Sequence, residues 1–531
     1  MPESFSNHNP HSMFDCIIIG AGPGGLVTTK ELLEQGCSNI LCLEKSHQIG
    51  GVFSNTYDNL VLTSSCTFSM FSDFWMGDGK QQEFWTKAEV LDYWKRYAET
   101  FQVLDKIRFD AEVVGVEVDS DQNWRVTLAS GEQLSTRHLA LATGNNQIPR
   151  YPHWRLSLKI DSFHAKTYRN AQSLAGKNVL VVGGGESGAD IALEVSQVAQ
   201  TCWVSLRNSA GWILPRKRGR YAADISTHRG LYGLSRSYGD RLSQFILERD
   251  QRDPDPVNRM AAQLNQQISA KYKVWGIYGT KNHSLPTAIV HHGCQIVGDI
   301  TEILDGGKTL ITQDGKTLQD VDVVIFCTGY QNRIDWLPTD LQALDPRSLY
   351  KHMIHPTWGD RLVWIGWARP NYGSQFPILE LQARYFALLC TQQFALPSLK
   401  EMQHQIQHDR QRAEEQFEAT AERLKSLVDY YHYMDSLAEI MGCRPPLWRY
   451  LLLYPHLWLR MVYGATQATQ FRLQGPGQKP ELARDILAKL PVSTWNHVVK
   501  AGLWGRLTQY LPRRRSFVPP PANCHPKSVQ S

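Results

Sequence analysis

Two glycine-rich runs carry the clearest chemistry in this chain. Gly20-Ala21-Gly22-Pro23-Gly24-Gly25 and Gly183-Gly184-Gly185-Glu186-Ser187-Gly188 each follow directly on an apolar, β-branched stretch. In that setting the glycines allow a tight turn, a close approach of backbone to a pyrophosphate, and close packing of the next helix on the strand. Two such runs predict two dinucleotides, and so an enzyme that passes electrons between a flavin and a nicotinamide.

The residues beyond each run make the two sites unequal. Phe14–Ile19 reads as the first strand, Leu26–Leu33 as a helix, and Ile40–Leu43 as a second strand ending at Glu44, 24 residues after Gly20. A carboxylate at that spacing accepts hydrogen bonds from a ribose hydroxyl and repels a 2′-phosphate. A second glycine pair follows in Ile49-Gly50-Gly51-Val52-Phe53, which points to FAD. Candidate contacts at this site are Gly20, Gly22, Gly24, Gly25, Glu44, Lys45, Gly51, Val52 and Phe53.

At the second site Asn178–Val182 reads as a strand, Ala189-Asp190-Ile191-Ala192 opens a helix, and Thr201–Leu206 is the next strand. Arg207 then stands 24 residues after Gly183, in the place that Glu44 holds at the first site. A guanidinium there pairs with a 2′-phosphate in fork geometry, which favours NADPH. Candidate contacts are Gly183, Gly185, Ser187, Gly188, Asp190 and Arg207.

The elements that must position these residues follow from two further apolar runs. Leu139–Gly144 and Val323–Tyr330 both read as strands that run out at Thr-Gly, at Thr143-Gly144 and Thr328-Gly329. Such strands can return the chain between two domains. The expected fold is therefore α/β, with two Rossmann-like domains, the NADPH domain inserted into the FAD domain, and a mainly helical C-terminal region. Expected boundaries are residues 1–158 and 330–445 for the FAD domain, 159–329 for the NADPH domain with an insertion near 209–290, and 446–531 for a helical extension and tail. Leu362–Trp367 reads as a late strand, and a long helix begins near Pro377, its free N–H groups facing the flavin. Thr143, Thr328, Gly366 and Gln375 join the cofactor-contact candidates on this arrangement.

Composition narrows the alternatives. The chain has 531 residues, enough for two or three domains. Its net charge of +5 comes from 56 basic and 51 acidic residues spread along it, which gives no support to nucleic-acid binding. Ten cysteines include no CxxC pair, which argues against a disulfide reductase, and a reducing, cytoplasmic compartment is expected. The residues up to Met13 lack the basic and apolar regions of a secretory signal. The 18 histidines form no HExxH and no ligand-spaced Cys/His set, so no metal is expected.

From residue 14 to about 490 the chain resembles the flavin-containing monooxygenases, the N- and S-oxygenating branch of the class B flavoprotein monooxygenases. The segment Tyr57–Phe74, ending Met70-Phe71-Ser72-Asp73-Phe74, is similar to the one before that family's first long helix. His164-Ala165-Lys166-Thr167-Tyr168 resembles the second half of the signature FxGxxxHxxxY, with Leu158 and Ile160 at the Phe and Gly positions of the first half. Gln382-Ala383-Arg384 and Gln470–Gly477 match two later motifs. His164 taken alone reads as a packed histidine.

The resemblance implies that NADPH reduces FAD, that O2 adds at flavin C4a, and that the resulting hydroperoxide is attacked by a nitrogen or sulfur atom of a small amine or sulfide. This is the N,N-dimethylaniline monooxygenase type of reaction. Where the family carries an asparagine near the flavin, alignment from Tyr57 places Thr63, so Thr63 and its neighbour Ser64 are the catalytic candidates. The alternatives are a Baeyer-Villiger oxygenase and a non-catalytic nucleotide-binding redox sensor. A homo-oligomer is expected.

Four stretches carry structural expectations only. Residues 209–290 read either as an insertion shaping access to the nicotinamide or as a surface excursion, with Arg216, Lys217, Arg218 and Arg220 as a solvated loop. Gln403–Leu424 reads as an exposed helix. Pro446–Tyr463 reads as an amphipathic helix, buried in preference to membrane contact. Arg513-Arg514-Arg515 and Pro519-Pro520-Pro521 mark a disordered tail.

Overall fold

In the computed structural model, which describes residues 13–207, 211–233, 236–269, 276, 278–417 and 425–492, the first glycine run joins a strand to a helix. β1 (Phe14–Ile19) ends at the run, α1 (Pro23–Glu34) starts inside it, and β2 (Ile40–Leu43) returns parallel to β1. Gly22 caps α1, and Pro23 occupies the first turn, where its missing N–H costs nothing. β3 (Gln133–Leu141) pairs in parallel with the other edge of β1. The strands are apolar where they pair beside the glycine run, in Cys16–Ile19, Ile40–Leu43 and Leu139–Leu141, because both faces are covered there. Cys16, Ile18, Cys42 and Ala140 join one core, while Ile17, Ile19, Leu41 and Leu141 alternate into another.

A second parallel sheet is built wholly from later residues. It contains β4 (Asp161–His164), β5 (Asn178–Val182), β6 (Thr201–Ser205), β7 (Gln295–Val297) and β8 (Val323–Phe326), in the spatial order β7-β6-β5-β8-β4. α2 (Glu186–Ser196) starts inside the second glycine run and packs Ala189, Ile191, Ala192 and Val195 against Val179, Val181 and Val204. The chain then returns to the first sheet through β9 (Gly359–Trp364), which lies parallel to β3 with Leu362 opposite Leu139. The second sheet is thus enclosed in sequence between β3 and β9. α3 (Gln375–Cys390) follows, capped by Ser374 and buried along most of its length against α1.

The element boundaries shift by a few residues. α3 begins at Gln375 rather than Pro377, which becomes its third residue, and β9 stops at Trp364 because Gly366 takes a left-handed φ of +89°. The exposed helix read at 403–424 is α4 (Leu399–Gln416), opened by a Ser398/Glu401 capping box, and residues 418–424 lie outside the described chain. The amphipathic helix read at 446–463 is two helices, α5 (Leu447–Leu453) and α6 (Pro455–Tyr463), because Pro455 forces a new first turn. Burial holds for Leu457, Met461 and Val462 of α6. It fails for α5, where Trp448 is 68% and Leu452 71% exposed. No helix of the described residues is long and apolar enough to cross a membrane. The tail motifs at 513–521 lie outside the described residues.

Three motifs that are distant in sequence meet in one buried ionic knot. Arg472 donates to Glu380 of α3 at 2.9 Å and also bonds Glu31 of α1, while Lys30 of α1 bonds Asp73. Lys479 adds bonds to Asp73 and Glu34, both at 2.6 Å. Arg384 holds the same C-terminal segment by donating to the carbonyls of Phe471 and Pro476. Glu31, Glu34 and Asp73 are close enough together to hold an ion, but Lys30, Arg472 and Lys479 already neutralise them.

Candidate functional site

The two glycine runs have nearly the same backbone geometry. Gly20 and Gly183 sit at φ +103° and +105°, and a Cβ built on them would lie 2.7 Å from the Ala142 carbonyl and 2.5 Å from the Cys327 carbonyl. A Cβ on Gly25 would overlap the Gly20 carbonyl oxygen, and one on Gly188 the Gly183 carbonyl oxygen. Both runs therefore need glycine at the turn and at the helix-packing position. Gly24 is different, because a Cβ there would make only ordinary contacts with Ile365 and Leu379. Gly22 and Gly185 cap α1 and α2 with extended backbone, so each helix presents its unpaired first N–H groups toward the mouth of its run.

Around the first run, Glu44 is 6% exposed and reaches into the turn. One oxygen accepts the Ala21 N–H at 2.7 Å and the other accepts Ser46 N–H and Oγ at 3.0 and 2.8 Å. Gly51 packs on Gly22, with room for a Cβ only 3.1 Å from the Gly22 Cα. Val52 is exposed, Phe53 lies 6.0 Å ring to ring from Phe376 of α3, and exposed Lys45 meets Gln147 at 3.2 Å. The Thr143 hydroxyl oxygen is buried beside this turn without a partner among the described residues. Glycines whose missing side chains clear a cradle, a helix N-terminus and an orphaned buried hydroxyl fit a flavin dinucleotide. Gln375 is committed elsewhere, since its amide donates to the Gly366 carbonyl at 2.6 Å and braces the turn after β9 against the start of α3.

Around the second run, Arg207 is exposed at the end of β6 with no partner among the described residues. Ser187 is exposed at the start of α2. Asp190 faces inward, accepting Tyr57 OH at 2.8 Å, the Asn282 amide at 2.7 Å and Ser284 Oγ at 2.7 Å. It clamps the two parts of the molecule together, and this occupies most of its acceptor capacity. Thr328 donates to the Arg150 carbonyl, so it fixes the crossing back toward the first sheet. His164 is 2% exposed, its Nδ1 accepts the Lys166 N–H, and Nε2 lies 3.1 Å from the Gly329 carbonyl. Burial pushes its pKa down to about 4, so it is a neutral, packed histidine.

Within the 209–290 stretch, Arg216, Asp224 and Lys281 turn inward and bond residues near both glycine runs. Lys281 donates its backbone N–H to Glu186 Oε1 at 2.8 Å, and its ammonium to the Gly373 carbonyl at 2.7 Å and, at 3.4 Å, to Ser64 Oγ. Asp224 is 4% exposed and accepts the Ser65 N–H at 2.7 Å. Arg216 leaves the solvated-loop reading, because it donates to the Val61 carbonyl at 3.1 Å and lies 3.7 Å from Asp190. Lys217, Arg218 and Arg220 keep that reading, paired at the surface with Glu83, Asp250 and Tyr221. Thr63 is partly buried, and its hydroxyl bonds none of the described residues.

Burial dominates the electrostatics here. It raises Asp224 and lowers Lys281, whose ammonium is held up in part by Asp224 and Glu186. It pushes Glu186 up to about 7, helped by the like charge of Asp190 and opposed by the Lys281 N–H. Glu186 sits inside the quoted fingerprint, and an acid at the mouth of an anion-binding turn was a visible signal. Lys281, Asp224 and Arg216 lie in a polar stretch without periodicity, and only the tertiary fold brings them to Ser64, Ser65 and Val61.

Residues 15–514 match the family described as flavin-binding monooxygenase-like. The chain is 31% identical over 506 residues to a 4-hydroxybenzoate brominase (decarboxylating) of Pseudoalteromonas luteoviolacea, covering 91% of this chain and 94% of that one. It is 30% identical over 503 residues to flavin-containing monooxygenase 5 of Rattus norvegicus, covering 88% and 90%. Among solved structures, S-allyl-L-cysteine S-oxygenase from Allium sativum aligns over 92% of this chain and 97% of that one, with a TM-score of 0.58 and 20% identity.

Proposed function

The chain belongs to the flavin-binding monooxygenase-like family, with FAD and NADPH as cofactors, and from that premise we propose that it transfers one oxygen atom of O2 to a soft nucleophile, a nitrogen or sulfur atom of a small organic molecule. The observation that carries this reading is the junction. Two glycine turns of matching geometry lie in one molecule, and Lys281 ties the second of them, at Glu186, to Ser64 in the segment where the family resemblance places the flavin, an arrangement that supports a nicotinamide from one run meeting a flavin from the other. FAD bound there supplies the redox chemistry, accepting a hydride from NADPH and activating O2.

The protein's own work is binding, orientation and exclusion of water. The first run and Glu44 hold one dinucleotide by pyrophosphate and ribose, and the second run with Arg207 holds the other by pyrophosphate and 2′-phosphate. Phe53, Phe376, Phe71 and Trp94 form a continuous aromatic wall under the start of α3, with ring centroids 5.1 to 6.4 Å apart. Such a wall keeps water from a reactive centre. Thr63 offers a hydroxyl donor with no competing partner among the described residues, and Lys281 fixes its neighbour Ser64.

A second reading concerns the nucleophile. Brominases of Pseudoalteromonas luteoviolacea and Marinomonas mediterranea are 31% and 32% identical to this chain over 91% of its length. Bromide is also a soft nucleophile, so the same oxygen transfer would oxidise it, and an electron-rich phenol would then take the bromine.

The test is NADPH consumption and product mass with a panel of amines, sulfides and ketones, and separately with 4-hydroxybenzoate plus bromide. The proposal expects amines or sulfides to gain one oxygen. Brominated phenol without amine or sulfide products moves the assignment to bromide. Lactone or ester products from ketones alone would contradict both.

A further inference from the structure

We propose that Glu186 makes binding of the nicotinamide dinucleotide a proton-coupled step, with its carboxyl protonated whenever a pyrophosphate is seated at the second glycine run. The inference rests on the second run being the NADPH site.

Glu186 is the first residue of α2, between the capping Gly185 and Ser187. Its backbone N–H is therefore one of the donors that the run offers an anion, and the carboxyl is carried by that same residue, within one side chain's length of the anion. An ionised carboxylate there meets the two negative charges of a pyrophosphate in a setting that screens poorly. Among the described residues its Oε1 accepts only the Lys281 backbone N–H, and its Oε2 is buried with no hydrogen-bond partner. An orphaned buried carboxyl oxygen is costly when charged and far less so as a neutral acid.

The surrounding groups leave Glu186 without a counter-ion in contact. From its own helix Asp190 adds negative charge and is itself bound to Tyr57, Asn282 and Ser284. From the 211–233 stretch come Arg216, turned toward Val61 and Asp190, and Asp224, bound to Ser65. The Lys281 ammonium is turned away, to the Gly373 carbonyl and Ser64. Burial accordingly pushes the Glu186 carboxyl up to about 7 before any nucleotide arrives. A dianionic pyrophosphate raises it further, so above neutral pH each dinucleotide bound takes one proton from solvent onto a Glu186 oxygen. No bond to the nucleotide forms or breaks.

The experiment is calorimetric titration of the FAD-loaded full chain with NADP+ from about pH 6 to about pH 9, in two buffers of different ionisation enthalpy, for the wild type and Glu186→Gln. Wild-type affinity should be level at the acid end and then fall by about tenfold per pH unit above neutrality, with close to one proton taken up. Glu186→Gln should bind with no such fall and no uptake in that range. Titration of the 2′-phosphate is common to both proteins and cancels in their ratio. Absence of proton uptake by the wild type at the alkaline end overturns the proposal without reference to any variant. Parallel pH profiles overturn it as well, and place the proton on another group such as Lys281. Failure of NADP+ to bind either protein at any pH overturns the site assignment along with it.

Discussion

Lys281 and Ser64 lie 217 residues apart, yet the lysine ammonium stands 3.4 Å from the serine hydroxyl while the same residue's backbone N–H holds Glu186 at the second glycine run. One residue thus fixes the distance between the loop expected at the flavin and the turn expected at the nicotinamide. Replacing it with methionine keeps the length of the side chain and removes the charge. Lys281→Met should retain FAD and lose coupling, with the peroxide formed per NADPH rising and kcat/KM for NADPH falling by about tenfold or more. Stopped-flow reduction together with a peroxide assay reads both. Unchanged coupling would reduce Lys281 to a packing residue.

Thr63 stands where the family carries an asparagine. Its hydroxyl has no partner among the described residues, so it remains available to a bound cofactor. Thr63→Ala should lower the yield of oxygenated product per NADPH and raise peroxide, at a cost of about 1 kcal/mol or somewhat more for the lost donor. If oxygenation and leakage both stay as in the wild type, the residue has no part in the chemistry.

Arg207 should decide between the two nicotinamide dinucleotides. It is exposed at the end of β6 and bonds none of the described residues, so removing it should cost the fold little. Arg207→Ala should weaken NADPH by about 2 kcal/mol, roughly thirtyfold in KM, and leave NADH nearly unchanged. Steady-state KM values for the two dinucleotides give the ratio.

Gly25 and Gly188 allow the sites to be separated. A methyl group at either would collide with the carbonyl oxygen of its own run's first glycine, in a place where only backbone can yield. Gly25→Ala should lose FAD on purification. Gly188→Ala should keep FAD absorbance but lose NADPH-driven bleaching. Loss of FAD from the second variant would show that the two sites do not bind independently.

The knot around Arg472 sets an acid limit on stability. Arg472 and Lys30 hold the Asp73 carboxyl well below the usual carboxylate range, although burial alone would raise it. A depressed folded pKa means that this stability is complete above the unfolded carboxylate pKa, about 4, and is lost as pH falls below it. Asp73→Asn should therefore lower the melting temperature at neutral pH, with the gap from wild type closing as pH drops below about 4. Breaking one partner of such a buried network costs about 3–5 kcal/mol. A gap that is constant across pH would contradict the assignment.

Much of this architecture was legible because periodicity and glycine spacing are local. β1, β2 and β5 fall on their expected residues, since uninterrupted apolar runs bounded by glycine leave little choice of register. Gly20, Gly25, Gly183 and Gly188 could be singled out because a positive φ or a closed space excludes any other residue. Arg216, Asp224 and Lys281 could not, because their partners are 26 to 217 residues away and no short-range pattern encodes such contacts. The exposed face of α5 was misread for a related reason. Pro455 splits one apolar stretch into two helices, and the first sends Tyr450 to the core while Trp448, Leu451, Leu452 and Leu453 stay exposed.

The most direct test of oxygen transfer to a soft nucleophile is to supply the FAD-loaded protein with NADPH, isotopically labelled O2 and a reactive amine or sulfide, and to count labelled atoms in the organic product per NADPH consumed. The account predicts one labelled oxygen in the product for nearly every NADPH. NADPH that never bleaches the flavin, or a flavin that reoxidises with all label in peroxide and water across the whole panel, would contradict it.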